Sequence, residues 1–152
     1  MNTIYRTDQF TTHFVHFHFV FSTKMRRKVF ADEKVKKRAE ELIRSTCEKH
    51  SFQIRYLEIY PEHIRISVVV SPDHSPRSVM AKLKKETQIL RKEFEQFANI
   101  RNFWTKSYLV STKQSFPHKE AAEFVASKPK RFGNIVDKPE TGIKEYINEK
   151  VK

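Results

Sequence analysis

The sequence contains one cysteine among its 152 residues and no run of about 18 apolar residues. A lone cysteine can form neither an internal disulfide nor a cysteine-based zinc site, and a membrane-spanning helix needs the missing apolar run. Residues 1–8 are polar and lack the apolar core of a signal peptide. We therefore expect a soluble, cytoplasmic protein in which Cys47 contributes to the packing of a helix.

Acidic residues are also scarce. The chain has 18 Asp and Glu against 30 Lys and Arg, which gives a formal net charge of +12. This excess favours a polyanionic partner, above all nucleic acid, although a basic surface with no specific partner would look the same. A membrane surface fits less well, because no segment joins a strongly apolar face to a basic one. With 38% hydrophobic residues, the chain can bury the core of one domain.

The first half of the chain is predicted to form a strand, a helix and two further strands. Residues 13–21 alternate as in a strand, and one face of it would carry Val15, Phe17, Phe19 and Phe21. Asp32 can cap a helix that runs to about Lys49. Residues 52–60 and 64–70 are predicted strands, and the short connection between them favours a hairpin.

The second half is predicted to add two helices and one strand. Ser75 and Pro76 are typical of a helix start, and the apolar positions of this helix would be Val79, Leu83, Leu90, Phe94 and Phe97. Residues 104–112 are predicted to form a fourth strand, and Pro117 begins a helix that reaches about Lys128. Beyond it the chain reads as a charged loop, until Ile143, Tyr146, Ile147 and Val151 predict a short terminal helix.

The order β-α-β-β-α-β predicts an α+β domain with the ferredoxin-like split βαβ arrangement. In this fold a four-stranded antiparallel sheet carries two helices on one face, and we expect the other face to be free for a ligand. We assign residues 1–130 to this domain and residues 131–152 to a charged C-terminal tail with its short helix.

One predicted strand carries a candidate site. Successive side chains of a strand alternate between faces, so His63 and Arg65 would project side by side towards the free face of the sheet. Glu62 would then point to the opposite face. Arginine has no lone pair for a metal, so His63 alone would make a weak metal site.

Four blocks of the sequence resemble, in order, the single-tyrosine HUH transposases of the smallest bacterial and archaeal insertion sequences. The resemblance covers about residues 10–130. The blocks are residues 17–29 (FHFVFSTKMRRKV), residues 62–66 (EHIRI), residues 82–84 (KLK) and residues 103–112 (FWTKSYLVST). Where this family has histidine, hydrophobic residue, histidine on one strand, the present chain has His63, Ile64 and Arg65.

The resemblance also implies where a catalytic tyrosine and a metal-binding glutamine would lie. Counted from the block around Trp104, the tyrosine position is Phe124 and the glutamine position is Lys128. Phenylalanine lacks the phenolic oxygen that attacks phosphorus, and Arg65 and Lys128 add positive charge where a cation would bind. The expectation is a cleavage-inactive relative that needs no cofactor and retains DNA binding. An active enzyme would need Mg²⁺ or Mn²⁺.

The resemblance implies DNA as the partner, as single strand or as a hairpin at a transposon end, and a homodimer. The expected DNA-binding residues lie in a basic turn and on the second helix: Lys24, Arg26, Arg27, Lys28, Lys82, Lys84 and Lys85. The helix lysines are interleaved with glutamates, so they also fit an ordinary solvated face.

Two alternatives remain open at this stage. An active transposase could use a divergent site, with His63 joined by His16 or His18 and with Tyr108 or Tyr146 as nucleophile, although hydrogen bonding or phosphate contact suits His18 better and packing suits Tyr108 better. A non-enzymatic regulator that binds DNA or RNA is the other. The Lys/Arg-Gly-aromatic strand typical of RNA-binding modules on this fold is absent. The remaining histidines are expected at the surface: His13, His50, His74 and His118.

Overall fold

The computed structural model describes residues 4–132 and 135–137, and the elements below are those of this part of the chain. The strands are β1 (Arg6–Thr7), β2 (Thr12–His13), β3 (Val15–Ser22), β4 (Gln53–Ile59), β5 (His63–Val70), β6 (Leu109–Ser111), β7 (Lys130–Phe132) and β8 (Ile135–Asp137). The helices are α1 (Glu33–Lys49), α2 (Pro76–Thr87), α3 (Leu90–Glu93) and α4 (His118–Ala126). Short 3-10 turns lie at Lys24–Arg26, Val29–Ala31 and Glu95–Phe97.

The central sheet has four antiparallel strands in the order β4-β5-β3-β6. Strand β3 is paired with β5 and β6, and β5 with β3 and β4, so β3 and β5 occupy the centre of the sheet. They correspond to the first and third of the four strands predicted from the sequence. The predicted ferredoxin-like α+β arrangement is confirmed. The predicted hairpin is also present, and the backbone N–H of Tyr60 donates to the carbonyl of His63 across its turn.

The main core lies between this sheet and helices α1 and α2. The apolar face of β3 supplies Phe17, Phe19 and Phe21, and the inner face of α1 supplies Val35, Ala39, Leu42, Ile43 and Cys47. Both predicted helix caps form. The Asp32 side chain accepts from the N–H of Lys34, and the Ser75 side chain accepts from the N–H of Ser78.

Two predicted elements are shorter than expected. The second helix stops at Thr87, and α3 and a 3-10 turn replace its predicted extension to Phe97. The buried Thr87 hydroxyl donates to the carbonyl of Leu83 and accepts from the Trp104 indole at 2.9 Å. The fourth strand is limited to β6, and Trp104 makes only an isolated bridge to Thr23. The backbone N–H of Thr105 still donates to the carbonyl of Ser22, and its hydroxyl donates to the carbonyl of Ser107, but regular pairing with β3 begins only at Leu109.

The sheet face that was expected to be free is partly covered. Helix α4 packs its buried Phe124 and Val125 on Val20 of β3, next to Leu109 of β6. This second apolar cluster is small, so α4 covers only one part of the face. The prediction of an open face is wrong here, because the same alternation that sends Phe19 into the main core sends Val20 under α4.

The chain after α4 also differs from the expectation of a loop. Strands β7 and β8 pair as a short antiparallel hairpin. The terminal helix predicted around Tyr146 lies outside the described residues. In the described part of the chain, each helix is either too short or too polar to cross a membrane.

The Thr87–Trp104 hydrogen bond gives a testable prediction for stability. Replacing Thr87 by Val removes the acceptor of a buried indole N–H, so we expect the free energy of unfolding to fall by about 1–3 kcal/mol. Thr46→Val is the matched control, since Thr46 is a buried α1 residue whose hydroxyl donates to the carbonyl of Leu42, whereas the indole donates to Thr87.

Urea unfolding followed by the fluorescence of Trp104, the only tryptophan, measures both variants. A Thr87→Val protein as stable as the Thr46→Val protein would show that the indole hydrogen bond contributes little.

Candidate functional site

His63 and Arg65 lie side by side on β5, as the alternation of the strand predicts. In the sheet they are opposite Ser22 and Val20 of β3. Both side chains are buried, with 4% of His63 and 9% of Arg65 exposed. A buried guanidinium must be hydrogen-bonded to be tolerated, so its partners define the site.

Arg65 and His63 form a hydrogen-bonded chain with Glu62. The Nε–H of Arg65 donates to Nε2 of His63 at 3.1 Å, and Nδ1 of His63 lies 2.9 Å from a carboxylate oxygen of Glu62. Since an arginine N–H can only donate, Nε2 of His63 must accept and the proton of the neutral ring lies on Nδ1. The prediction that Glu62 points away from His63 is wrong, because Glu62 belongs to the turn before β5, where strand alternation does not apply.

Two aromatic residues complete the surroundings of Arg65. The ring of Tyr60 is stacked on the His63 ring with centroids 4.4 Å apart, and the guanidinium carbon of Arg65 lies 4.6 Å from the centre of the Tyr60 ring. Nη1 of Arg65 lies 3.3 Å from Nδ1 of His118, at the start of α4. His118 is exposed, as predicted, and it nevertheless reaches the site.

Burial controls the charge of His63. It lowers the pKa of the imidazole, and this effect exceeds the opposing effect of Glu62, which raises the pKa through its hydrogen bond and its charge. Arg65 lowers the pKa further. His63 is therefore neutral near pH 7, which agrees with the single ring proton required by the hydrogen bonds.

Phe124 and Lys128 lie in and just after α4, which packs on the sheet face beside Arg65. Phe124 is buried against Val20, the strand neighbour of Arg65. The ammonium of Lys128 lies 4.2 Å from the centre of the Phe124 ring and donates to the Ser107 hydroxyl at 2.7 Å. Burial lowers the pKa of Lys128. The structure thus brings Phe124 close to the Arg65 strand and holds Lys128 on the β6 side.

These residues do not fit a divalent cation. Both ring nitrogens of His63 are engaged, and Arg65 and Lys128 offer only donors. Throughout residues 4–132 and 135–137, no group of three or more His, Cys, Asp or Glu side chains is arranged to hold a metal ion. The arrangement can hold an anion more readily than a cation.

His18, one of the two histidines proposed as alternative metal ligands with His16, is hydrogen-bonded within the protein through both ring nitrogens. The hydroxyl of Ser67 lies 2.6 Å from Nδ1 of His18, and the backbone carbonyl of Lys113 lies 2.6 Å from Nε2. Burial lowers the pKa of His18. The prediction of hydrogen bonding at His18 is confirmed. His13 was expected at the surface, and that expectation is wrong because its side chain is buried.

The basic turn (residues 24–28) contains two residues with strained backbone angles and is held by hydrogen bonds. Met25 and Arg26 both have positive φ, 61° and 49°, which is uncommon for residues other than glycine. The turn is fixed by the Thr23 hydroxyl, which donates to the Arg27 carbonyl, and by the N–H of Lys24, which donates to the carbonyl of Phe103. It presents exposed Lys24 and Lys28, with Arg26 and Arg27 partly buried.

The three lysines of α2 point to different surroundings. The ammonium of Lys84 donates to the carbonyl of Thr105 at 2.8 Å, and burial lowers the pKa of Lys84 to about 8. Lys82 donates to the Ser78 hydroxyl, whereas Lys85 is exposed. Lys84 therefore stabilises the loop before β6, where Tyr108 packs against the core.

Sequence reasoning missed Tyr60, Glu62 and His118 as members of the site. Tyr60 and Glu62 are close to His63 in the sequence, so a tight hairpin turn was the available signal. His118 is 53 positions from Arg65, and nothing in its own sequence neighbourhood indicates that α4 would bring it there.

Comparison with known proteins gives one consistent family. Residues 11–128 match the family described as "Transposase IS200 like". Transposases for insertion sequence element IS200 from Salmonella typhimurium and Salmonella typhi are each 30% identical to this chain over 102 residues. The match covers 63% of this chain and 65% of each relative, so the chain spans less than two thirds of their length.

Two solved structures share the fold. One is a crystal structure of a protein from Deinococcus radiodurans R1 assigned as a candidate transposase, with a TM-score of 0.72 and 18% identity, covering 79% of this chain and 95% of that one. The other is a REP-associated tyrosine transposase bound to a REP hairpin, with a TM-score of 0.52 and 14% identity, covering 80% and 70%.

The hydrogen bonds of His63 predict its protonation state. In ¹⁵N-resolved NMR spectra we expect a neutral ring with its proton on Nδ1 and a pKa below the ordinary value of about 6.5. As the pH falls, the His63 ring of the unfolded chain takes up a second proton before the ring of the folded chain does. The free energy of unfolding therefore falls as the pH drops below about 6.5 and is fully restored above it.

Glu62→Gln tests the role of the carboxylate. It keeps an acceptor for Nδ1–H but removes the charge that raises the pKa of His63, so the pKa should fall further. A ring protonated on Nε2, or a His63 pKa at or above about 6.5 in the unmodified protein, would contradict the hydrogen-bond chain.

Proposed function

We propose, because the chain belongs to the IS200-like transposase family, that it is a cytoplasmic DNA-binding protein that recognises DNA of the kind found at transposon ends without cutting it. The DNA would be a hairpin with flanking single strand. The solved relative named for its complex with a REP hairpin supports this choice of ligand. The net charge of +12 supports a polyanion.

The observation that carries the proposal is the hydrogen bond from Nε of Arg65 to Nε2 of His63 at 3.1 Å. It occupies the lone pair with which His63 would bind a metal, and it places a permanent positive charge at the second histidine position. Phe124 adds a second obstacle, since cleavage through a phosphotyrosine requires a phenolic oxygen. Both changes favour binding over chemistry.

Arg65 is suited to hold a phosphate instead. Its Nε–H and Nη1 face His63 and His118, while within the described residues Nη2 has no hydrogen-bond acceptor. Guanidinium groups bind phosphate with short, charge-assisted hydrogen bonds, which are strengthened where water is excluded. We assign the phosphate of the bound strand to this outer edge of Arg65.

The basic turn (residues 24–28) would supply further phosphate contacts. Its fixed backbone presents Lys24 and Lys28 with no loop to order on binding. Lys85 is also exposed and could contact phosphate, whereas Lys84 and Lys128 are hydrogen-bonded within the protein. The proposal includes a homodimer, as the resemblance implies. Pairing through the sheets would use β4 or β6, the two edge strands.

A binding assay with hairpin DNA tests the proposal. Affinity should fall steeply with added salt, because phosphate binding releases counterions, and it should be the same with and without EDTA. Arg65→Gln should weaken binding about tenfold and reduce the slope of log affinity against log salt by about 1, the loss of one phosphate contact.

Arg44→Ala is the matched charge control, since Arg44 lies on α1, paired with Glu40. It removes the same charge and should leave affinity nearly unchanged. Circular dichroism and melting curves establish that both variants fold. Equal affinity of a folded Arg65→Gln protein and the unmodified protein would remove Arg65 from the binding site.

The absence of cleavage is tested separately. Incubated with Mg²⁺ or Mn²⁺ and a hairpin that carries a single-stranded arm, the protein should give no covalent protein–DNA band on a denaturing gel, since Phe124 has no nucleophilic oxygen. An active tyrosine transposase with its own DNA is the positive control. A covalent band would overturn the proposal, and Tyr108→Phe and Tyr146→Phe variants would then identify the nucleophile.

A further inference from the structure

The break between α2 and α3 forms a cleft on the helix side of the molecule. Helix α2 ends at Thr87, α3 begins at Leu90, and the 3-10 turn at Glu95–Phe97 brings the chain back beside them. The space between these segments has a volume of about 510 Å³. This cationic cleft is lined by Lys85, Gln88, Ile89, Arg91, Lys92 and Ala98.

The walls of the cationic cleft are anchored in the protein. Leu90 and Phe97 are both buried in the main core, on either side of the cleft. Between α2 and α3 the backbone is closed by a local hydrogen bond, in which the N–H of Arg91 donates to the carbonyl of Gln88 at 3.1 Å. The cleft therefore belongs to the folded framework, and a ligand would not have to order its backbone.

The charge of the cationic cleft is positive and unbalanced. Among the described residues that line it, three are cations and none is acidic. The nearby carboxylate of Glu93 accepts two hydrogen bonds from Arg38 of α1, at 2.8 and 2.9 Å. In the described part of the chain, no salt bridge neutralises the three cations. The cleft is therefore suited to an anion.

Arg91 carries an unsatisfied hydrogen-bond donor. Its Nε is buried, and among the residues that the structure describes it has no acceptor. A buried donor left without a partner costs about 1–3 kcal/mol. A phosphate oxygen in the cleft could accept from this group after a small rotation of the side chain. Guanidinium groups match phosphate with paired, charge-assisted hydrogen bonds, so Arg91 favours phosphate among anions.

We propose that the cationic cleft binds a free nucleoside triphosphate, with its phosphates on Lys85, Arg91 and Lys92. Its volume lies within the range of small-molecule sites. A triphosphate carries several negative charges on neighbouring groups, which three converging cations can neutralise together. Ile89 is 36% exposed and, with Ala98, offers an apolar surface against which the base or the sugar can pack.

The distribution of cations favours a small ligand over a nucleic-acid backbone. A backbone is typically bound by cations that form a stripe along a face or a helix. The preceding lysines of α2 do not extend such a stripe, because Lys82 donates to the Ser78 hydroxyl and Lys84 to the Thr105 carbonyl.

The cationic cleft is also separate from the Arg65 site. Helices α1 and α2 pack on one face of the central sheet, whereas α4 and Val20, the strand neighbour of Arg65, lie on the other. The inference therefore goes beyond the proposed function and does not depend on it.

Isothermal titration calorimetry tests the inference with ATP, tripolyphosphate, AMP and adenosine, in the presence of EDTA to exclude metal ions. ATP should bind at a single site per chain and about tenfold more tightly than AMP, because only the triphosphate reaches all three cations. Tripolyphosphate should bind several-fold more weakly than ATP, since it lacks the base and the sugar. Adenosine should not bind.

Two variants separate the phosphate contact from the apolar one. Arg91→Gln should weaken ATP binding about tenfold, the loss of one charge-assisted contact, and should leave the affinity for hairpin DNA unchanged. Ile89→Ala should lower the affinity for ATP to that for tripolyphosphate and leave the affinity for tripolyphosphate unchanged.

Arg77→Gln is the matched control. Arg77 is exposed at the other end of α2 and does not line the cleft, so this variant removes the same charge from the same helix and should bind ATP like the unmodified protein. Melting curves followed by circular dichroism establish that all three variants fold.

The possible failures are distinguishable. Equal weakening by Arg91→Gln and Arg77→Gln would show that ATP responds only to the net charge, which would overturn the inference. A loss of hairpin affinity in Arg91→Gln as large as its loss of ATP affinity would assign the cleft to DNA and also overturn it. Failure of the unmodified protein to bind any hairpin would remove the proposed function and leave the nucleotide site standing.

Discussion

The alternation of side chains along β3 and β5 is the constraint on which the rest of the molecule depends. Both strands are central in the sheet, and all residues of β5 and the last six of β3 are buried, so both faces of these strands are largely withdrawn from solvent. One face of β3 must be apolar to build the main core with α1 and α2. The residues between, among them His18 and Val20, are thereby fixed on the opposite face, together with His63 and Arg65 of β5.

The burial of Arg65 is energetically unfavourable. A cation removed from water loses several kcal/mol of solvation, and only well-placed partners offset that loss. Here the offset comes from neutral groups, the Nε2 of His63 and the ring of Tyr60, with the carboxylate of Glu62 acting through the imidazole. Glu58 of β4 lies opposite Arg65 in the sheet, and the charge of Arg65 helps to lower the pKa of Glu58, but in the described part of the chain no carboxylate forms a salt bridge with Arg65.

The fold followed from sequence because its signals are local and mutually consistent. Alternation, the caps at Asp32 and Ser75, and the short hairpin turn all act within a few residues. The failures came from tertiary contacts that no local pattern shows. Thr87 ends α2 where it meets the Trp104 indole, and His118 joins Arg65 only because α4 crosses the sheet face. Residue spacing predicted that His63 and Arg65 lie side by side on one strand but did not reveal their partners.

In the turn at Met25 and Arg26, two residues with large side chains adopt a left-handed backbone conformation that glycine would adopt more easily. A left-handed conformation costs about 1–2 kcal/mol for a residue with a Cβ atom, and glycine would remove most of that cost. The sequence has only two glycines and places neither of them here. Substituting glycine at Arg26 would relax the backbone but delete a guanidinium, so a search for stabilising substitutions at this turn would select against the charge that a polyanion needs.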